Sequence, residues 1–244
     1  MSDTSTSFGY RAVAPEEKTR LVGQVFSNVA RRYDLMNDLM SAGQHRFWKD
    51  RFVAAVKPRR GEHILDLAGG TGDIAFRLVR SGAEVTVADI NPDMLAVGRE
   101  RAGKRGLTGL DFEVANAEAM HFADASFDAV TIAFGIRNVT DIESALRDIH
   151  RVLKWGGRFF CLEFSTTEWP GFARVYDLYS MEVVPRIGEV VARDRESYRY
   201  LVESIRKFPS MPAFSAMISE AGFARVSATP ILGGAVAIHS GWKI

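Results

Sequence analysis

Gly69, Gly70 and Gly72 fall in HILDLAGGTGD, from His63 to Asp73, and Asp89 falls near the end of EVTVADI. Residues of these types in this order can hold a nucleoside. The glycines let the backbone turn tightly and approach a ligand that a Cβ would block. Backbone N–H groups at the start of a following helix favour an anionic group. Asp89, at the end of the next strand, offers a carboxylate that can accept hydrogen bonds from both ribose hydroxyls. The chemistry is that of a nucleoside cofactor, and these residues alone leave open which one.

The elements that must position this turn follow from the pattern around it. HILDL reads as a buried strand that breaks at the glycines and opens a helix running to about Arg80. EVTVADI is a second strand, and Asn91-Pro92 supplies an N-cap and a first helical residue. LDFEVAN alternates Leu110, Phe112 and Val114 with polar partners, as a half-exposed edge strand does. FDAVTIAF and RFFCLEF are instead the near-continuous apolar runs of central parallel strands. Between them Thr140 and Glu143 form a capping box, and Ile142, Ala145, Leu146, Ile149, Val152 and Leu153 make a helical stripe that Gly156-Gly157 ends.

Upstream, Lys18 to Val56 reads as helical, with Val22, Val25, Phe26 and Val29 at helical spacing, and Pro58 and Gly61 mark a break. From Trp169 onward the βα rhythm lapses in a segment holding Tyr176, Tyr179, Tyr198 and Tyr200, aromatic groups suited to covering a substrate. PAFSAMISEAGF reads as a helix, and the remainder as two strands joined through Gly233-Gly234. The predicted fold is α/β, a doubly wound, Rossmann-like sheet with its ligand at the switch point. It carries an N-terminal helical cover over 18–57, a substrate-cover insertion over 169–210 and a closing β-hairpin.

Two cofactors fit the turn. Gly70-Thr71-Gly72-Asp73-Ile74-Ala75 matches G-x-G-x-x-G/A, which makes NAD one candidate. The same strand, turn and ribose-binding acid serve S-adenosylmethionine in class I methyltransferases, where the turn cradles the methionine end. The closing hairpin favours S-adenosylmethionine. A compact NAD-dependent oxidoreductase is the alternative, but no tyrosine here precedes a lysine at the Tyr-x-x-x-Lys spacing of short-chain dehydrogenases.

Composition narrows the class further. The 244 residues suit one large domain over 18–244, after a flexible tail over 1–17. Lys+Arg 31 against Asp+Glu 30 gives a net charge of +1, so no global field attracts nucleic acid. The single cysteine, Cys161, sits in FFCLEF and reads as a small core hydrophobe. The histidines show no metal-ligand spacing, so no catalytic metal is expected. No apolar run approaches the ~20 residues that span a bilayer. The first eighteen residues carry no hydrophobic segment and read as neither a signal nor a transit peptide, which points to the cytoplasm.

LDLAGGTGDIAFRL, VADINPDML, ANAEAM, FGIRNVTD, RVLKWGGRFFCLEFS, YDLYS, SYRYLVESIRKFP and AVAIHSGWK, with VFSNVARRYDLMNDLMSAGQHRFWK upstream, together resemble the ubiquinone/menaquinone biosynthesis C-methyltransferase family. The resemblance runs from about residue 20 to the end of the sequence. YDLMND, FGIRNVTD and SYRYLVESIR are its specific motifs. It implies methyl transfer from S-adenosylmethionine to a ring carbon of a polyprenylated quinol: demethylmenaquinol, a 2-polyprenyl-6-methoxy-1,4-benzoquinol, or both. It also implies that Thr71, Asp89, Asn116 and Ala117 contact the cofactor. Many relatives carry a serine contact where this chain has Ala133, so that hydroxyl contact is not carried over. A methyltransferase acting on another small molecule is a further alternative.

Methylating an aromatic carbon needs an electron-rich ring, favoured by ionising a neighbouring hydroxyl, and a proton acceptor afterwards. Arg137 and Asn138 follow the fourth strand, at the sheet edge where chemistry is expected. Arg137 is read as stabilising the phenolate or orienting a water, with a structural ion pair as the alternative. Asn138 is read as binding a ring oxygen, and Tyr33 as a further hydroxyl contact. Arginine is a poor direct base, and Asp34, His45 and Glu163 stand in reserve for that role. Leu35, Met36, Leu39, Met40, Phe47 and Trp48 are candidates for an apolar entrance. A lipid-dissolved acceptor suggests loose, peripheral contact with the inner membrane face.

Overall fold

The computed structural model describes residues 6–30, 37–38, 41, 43–165 and 195–244, with the side chains of 28, 29 and 195–198 excepted. The elements in chain order are β1 (Thr6–Phe8), β2 (Arg11–Val13), α1 (Pro15–Val29), α2 (His45–Val56), β3 (His63–Leu67), α3 (Ala75–Leu78), β4 (Glu84–Asp89) and α4 (Pro92–Lys104). There follow β5 (Leu110–Val114), β6 (Phe127–Ala133), α5 (Ile142–Val152), β7 (Leu153–Phe164), α6 (Arg195–Lys207), α7 (Met211–Glu220), β8 (Ala224–Ile231) and β9 (Val236–Trp242).

Seven strands form one sheet in the order β5-β4-β3-β6-β7-β9-β8. The first five are parallel, while β9 runs antiparallel to both β7 and β8. The chain leaves β3 toward β4 on one side and later returns to place β6 on the other. Their carboxyl ends therefore diverge at β3, the switch point of a doubly wound sheet. Alternate strand residues serve two cores. Ile64 packs with Phe52, Leu78 and Leu95 on one face, and Leu65 with Leu146, Ile149 and Phe159 on the other. β5 is the edge strand, as its alternation predicts, but Val114, at the strand's end, is exposed where the alternation groups it with the half-buried Leu110 and Phe112. Cys161 is fully buried in β7.

Asn91 caps α4 as expected, its Oδ1 accepting from the N–H of Asp93 (2.9 Å) and of Met94 (3.2 Å). Its amide also donates to Gly23 O and Ser27 Oγ, each at 3.0 Å, which binds α1 to the start of α4. The closing hairpin and the helix of PAFSAMISEAGF are both present.

Four expectations need correction. Residues 6–13 are not tail: β1 and β2 pair antiparallel, Phe8 stacks on Tyr200 at 4.1 Å, and the Tyr10 N–H donates to Glu203 Oε2. These partners are some 190 residues away, beyond the reach of a local pattern. Helix starts at Pro15, before Lys18, because proline is tolerated at a first helical position. The cap of α5 is Asp141 and not Thr140; its side chain accepts from Ser144 N, while Thr140 N donates to Glu118 Oε1. Gly156-Gly157 does not end α5, which gives way directly to β7 at Leu153.

Asn91→Ala removes the cap and both interhelical donors. It is expected to lower unfolding free energy by about 1–2 kcal/mol or somewhat more. Urea denaturation checks this, and Asn91→Asp, which keeps the cap and loses the amide, should recover part of the loss.

Candidate active site

The cavity at the switch point is built on the turn after β3. Gly70 adopts φ +54° and its N–H donates to Asp89 Oδ2 at 2.9 Å, so the end of β4 holds the turn. A Cβ at Gly69 would lie 2.7 Å from Val87 Cγ1 and 2.8 Å from the Asp66 carbonyl oxygen, which leaves room only for glycine. The other Asp89 oxygen accepts from Asn91 N at 2.8 Å. One carboxylate thus joins the turn to the helix that follows β4 and lines the cavity beside them.

The helix opening after the turn ends near Arg80 as expected, but its last turn is 3-10. α3 spans only Ala75–Leu78 before a 3-10 turn, and its start already has an anion. Asp66 Oδ2 accepts from Ala75 N (3.2 Å), and its Oδ1 accepts from Thr131 Oγ1 (2.9 Å). The expected free N-terminal anion site is therefore filled from within. Burial raises the Asp66 carboxyl to about 7 against these hydrogen bonds, and raises Asp89 to about 6. Both line the cavity, where a ligand bearing donors or a positive charge would hold them ionised.

Asp73 and Lys49 were not singled out by the sequence patterns. Lys49, from α2, is buried and its ammonium donates to Asp73 Oδ2 at 2.7 Å. Asp73 also pairs with Arg77. Burial opposes the ionised form of Asp73, but Lys49 and then Arg77 outweigh it and hold the carboxyl at about 2. The signal for Lys49 was present only as helical spacing: His45, Trp48, Lys49, Phe52 and Val56 form the buried face of α2.

The residues expected at the cofactor all line the cavity, with different side-chain partners. Thr71 is buried, its hydroxyl accepting from Arg101 at 3.1 Å. Asn116 Oδ1 accepts from the Glu118 N–H at 3.1 Å, and Ala117 is buried beside it. Ala133, half-buried at the end of β6, also faces this space.

Asn138 lines the cavity as well, and its Oδ1 accepts from the Tyr200 hydroxyl at 3.0 Å. Its neighbour Arg137 does not; it lines an adjacent hollow with Lys18, Tyr200 and Ser204. The Arg137 guanidinium donates to Glu163 Oε1 (2.8 Å), to the Phe134 carbonyl (2.6 Å) and to Ser204 Oγ (3.3 Å), and lies over the Phe164 ring. Glu163 is fully buried, with its carboxyl raised by desolvation and its Oε2 without a partner. His45 bonds Asp38 Oδ1 at 2.9 Å, and its ring is held below the ordinary histidine value by burial. Trp48 is packed against Phe134 and Phe164 and so is core, whereas Phe47 is 59% exposed. Tyr33, Asp34, Leu35, Met36, Leu39, Met40, Tyr176 and Tyr179 lie outside the described residues, as does the side chain of Tyr198.

Residues 12–243 match the model of the ubiE/COQ5 methyltransferase family. A relative from Zymomonas mobilis, the ubiquinone/menaquinone biosynthesis C-methyltransferase UbiE, is 61% identical over 238 residues, 98% of each chain. Among solved structures, a SAM-dependent methyltransferase from Thermotoga maritima aligns with TM-score 0.65 at 19% identity, over 91% of this chain and 100% of that one. The [4+2]-cyclase SpnF aligns with TM-score 0.63 at 18% identity, over 92% and 96%. At such identities the likeness is one of fold, and the cyclase illustrates how far chemistry can diverge on it.

Asp66 and Asp89 are both raised, so at these two groups the folded state binds more protons than the unfolded state between about pH 4 and 7. Their contribution to stability is complete at low pH and is lost as pH rises through about 6 and 7. Asp66→Asn should therefore gain stability relative to the ligand-free wild type over that window, by up to about 1.4 kcal/mol per pH unit. Denaturant titrations of both proteins at a series of pH values check the sign.

Proposed function

This chain belongs to the ubiE/COQ5 methyltransferase family, and on that premise we propose which acceptors and residues its reaction uses. It is an S-adenosylmethionine-dependent C-methyltransferase of quinone biosynthesis. The cavity's chemistry fits that cofactor: buried carboxylates for ribose hydroxyls and an ammonium, and a glycine turn that admits close approach. S-adenosylmethionine, when bound, supplies an electrophilic methyl group. Asp89 receives the ribose, the turn at Gly69, Gly70 and Thr71 holds the amino-acid end, and Asn116 and Ala117 border the adenine.

The acceptor is a polyprenylated quinol: demethylmenaquinol giving menaquinol, a 2-polyprenyl-6-methoxy-1,4-benzoquinol giving its 3-methyl derivative, or both. The observation that carries the assignment of roles is the bond from Tyr200 to Asn138. With Oδ1 occupied, Asn138 turns its amide donor to the cavity, where it bonds a ring oxygen and favours the phenolate. Arg137, its guanidinium fixed by Glu163 outside the cavity, acts on that oxygen from behind, through its positive potential and through its bond to the Phe134 carbonyl, which holds the loop that carries Asn138. Tyr33 supplies a further hydroxyl contact. From β1 onward the chain acts as one methyltransferase domain, with α1 and α2 lining the cavity through Val22, Phe26 and Lys49. Among the described residues no helix is long and apolar enough to cross a membrane. Exposed Phe47, with Arg51 against its ring, supports peripheral contact where the lipid-dissolved acceptor enters.

Purified protein is incubated with methyl-labelled S-adenosylmethionine and, separately, each reduced acceptor. Label in a methyl group newly bonded to a ring carbon of either product is expected, and label in neither would sink the quinol assignment in favour of another small acceptor. Asn138→Ala and Arg137→Ala are each expected to lower kcat by about 10²-fold or more, with S-adenosylhomocysteine binding retained in calorimetry.

A further inference from the structure

The charged groups along the cavity are unevenly divided. Asp66, Asp73, Asp89 and Glu118 line it, and Lys49 is the one cation among its described lining residues. S-adenosylmethionine brings both an ammonium and a carboxylate at its amino-acid end. The ammonium has several carboxylates to meet. The carboxylate has far less. The start of α3 is taken by Asp66, the Gly70 N–H by Asp89 and the Gly72 N–H by the Gly69 carbonyl. Thr71 Oγ1 accepts a bond from Arg101, which leaves its O–H as one uncharged donor.

We propose that Lys49, held at the mouth of the glycine turn by Asp73, is the residue that binds the carboxylate of S-adenosylmethionine and so selects cofactors carrying it. An ammonium has three donors, and the Asp73 bond uses one of them. The Lys49 side chain is only 5% exposed, so a second anion meets it with little competition from water. Asp73 fixes where the ammonium points, while Arg77 on the far oxygen of Asp73 keeps that carboxylate from swinging away. Because Lys49 belongs to α2, the same contact ties the N-terminal cover to the cofactor. A chain folded on the sheet alone would lack the cation.

The proposal rests on the cavity being the S-adenosylmethionine site, and its test separates the two. Calorimetry without acceptor compares S-adenosylmethionine with decarboxylated S-adenosylmethionine, which differs only in lacking the carboxylate. Wild type is expected to prefer the intact cofactor by about 10- to 100-fold, the range of a charge-assisted bond. Lys49→Gln is expected to bind the two alike. Asp73→Asn, whose amide oxygen still accepts from Lys49 and holds its ammonium in place, is expected to retain the preference; any loss of ammonium binding cancels in the ratio. It also serves if Lys49→Gln does not fold by circular dichroism. A preference that persists in Lys49→Gln, is lost in Asp73→Asn or is absent from wild type overturns the role of Lys49. Wild type that binds neither compound overturns the cofactor site itself, and the proposal with it.

Discussion

Everything at the working end of this sheet depends on carboxylates kept out of water. Asp66 lies one residue before the end of β3 and Asp89 ends the adjacent parallel β4, and each is spent first on backbone: Asp66 on the start of α3, Asp89 on both Gly70 and Asn91. Burial makes their ionised forms costly, as the values of about 7 and 6 record. The backbone donors offset part of that cost. The remainder is latent affinity, because a ligand that brings donors or positive charge relieves it. Shape and electrostatics here are one design, since the groups that bend the turn also prefer what fills it.

Around that centre, pieces remote in sequence are fastened to the carboxyl edge of the sheet by a few polar and aromatic contacts. Asn91 reaches α1 through Gly23 and Ser27. Lys49 brings α2 to the turn through Asp73. Phe8 stacks on Tyr200, whose hydroxyl reaches Asn138. The Arg137–Glu163 pair follows the same logic deeper in. A carboxylate with no exposure is tolerable beside a guanidinium that also bonds Phe134 and Ser204.

Local patterns in the sequence carry much of this. The glycines, Asp89 and the Asn91-Pro92 start of α4 could be read because their partners lie within a few residues or on the next strand. The alternation at Leu110, Phe112 and Val114 marked β5 as an edge for the same reason. The ribbon of β1 and β2 could not, since Tyr10 and Glu203 meet across almost the whole chain. Nor could the partnership of Arg137 with Glu163, which the parallel packing of β6 and β7 creates. The misread cap shows the limit at close range. Thr140 and Asp141 are both good N-caps, and what decides between them is Glu118, a residue from another loop that takes the Thr140 N–H.

The strand order has a consequence for the making of the chain. β9, with residues 236–242, lies between β7 and β8 and is hydrogen-bonded to both. Until that segment is synthesised, β7 presents a bare edge of unpaired backbone and β8 has no place in the sheet. A long apolar edge of this kind is where strands of different molecules pair wrongly. Assembly from the amino end therefore reaches a half-built state in which Phe159, Cys161 and Leu162 await their neighbour, and that interval is when a chaperone would matter most.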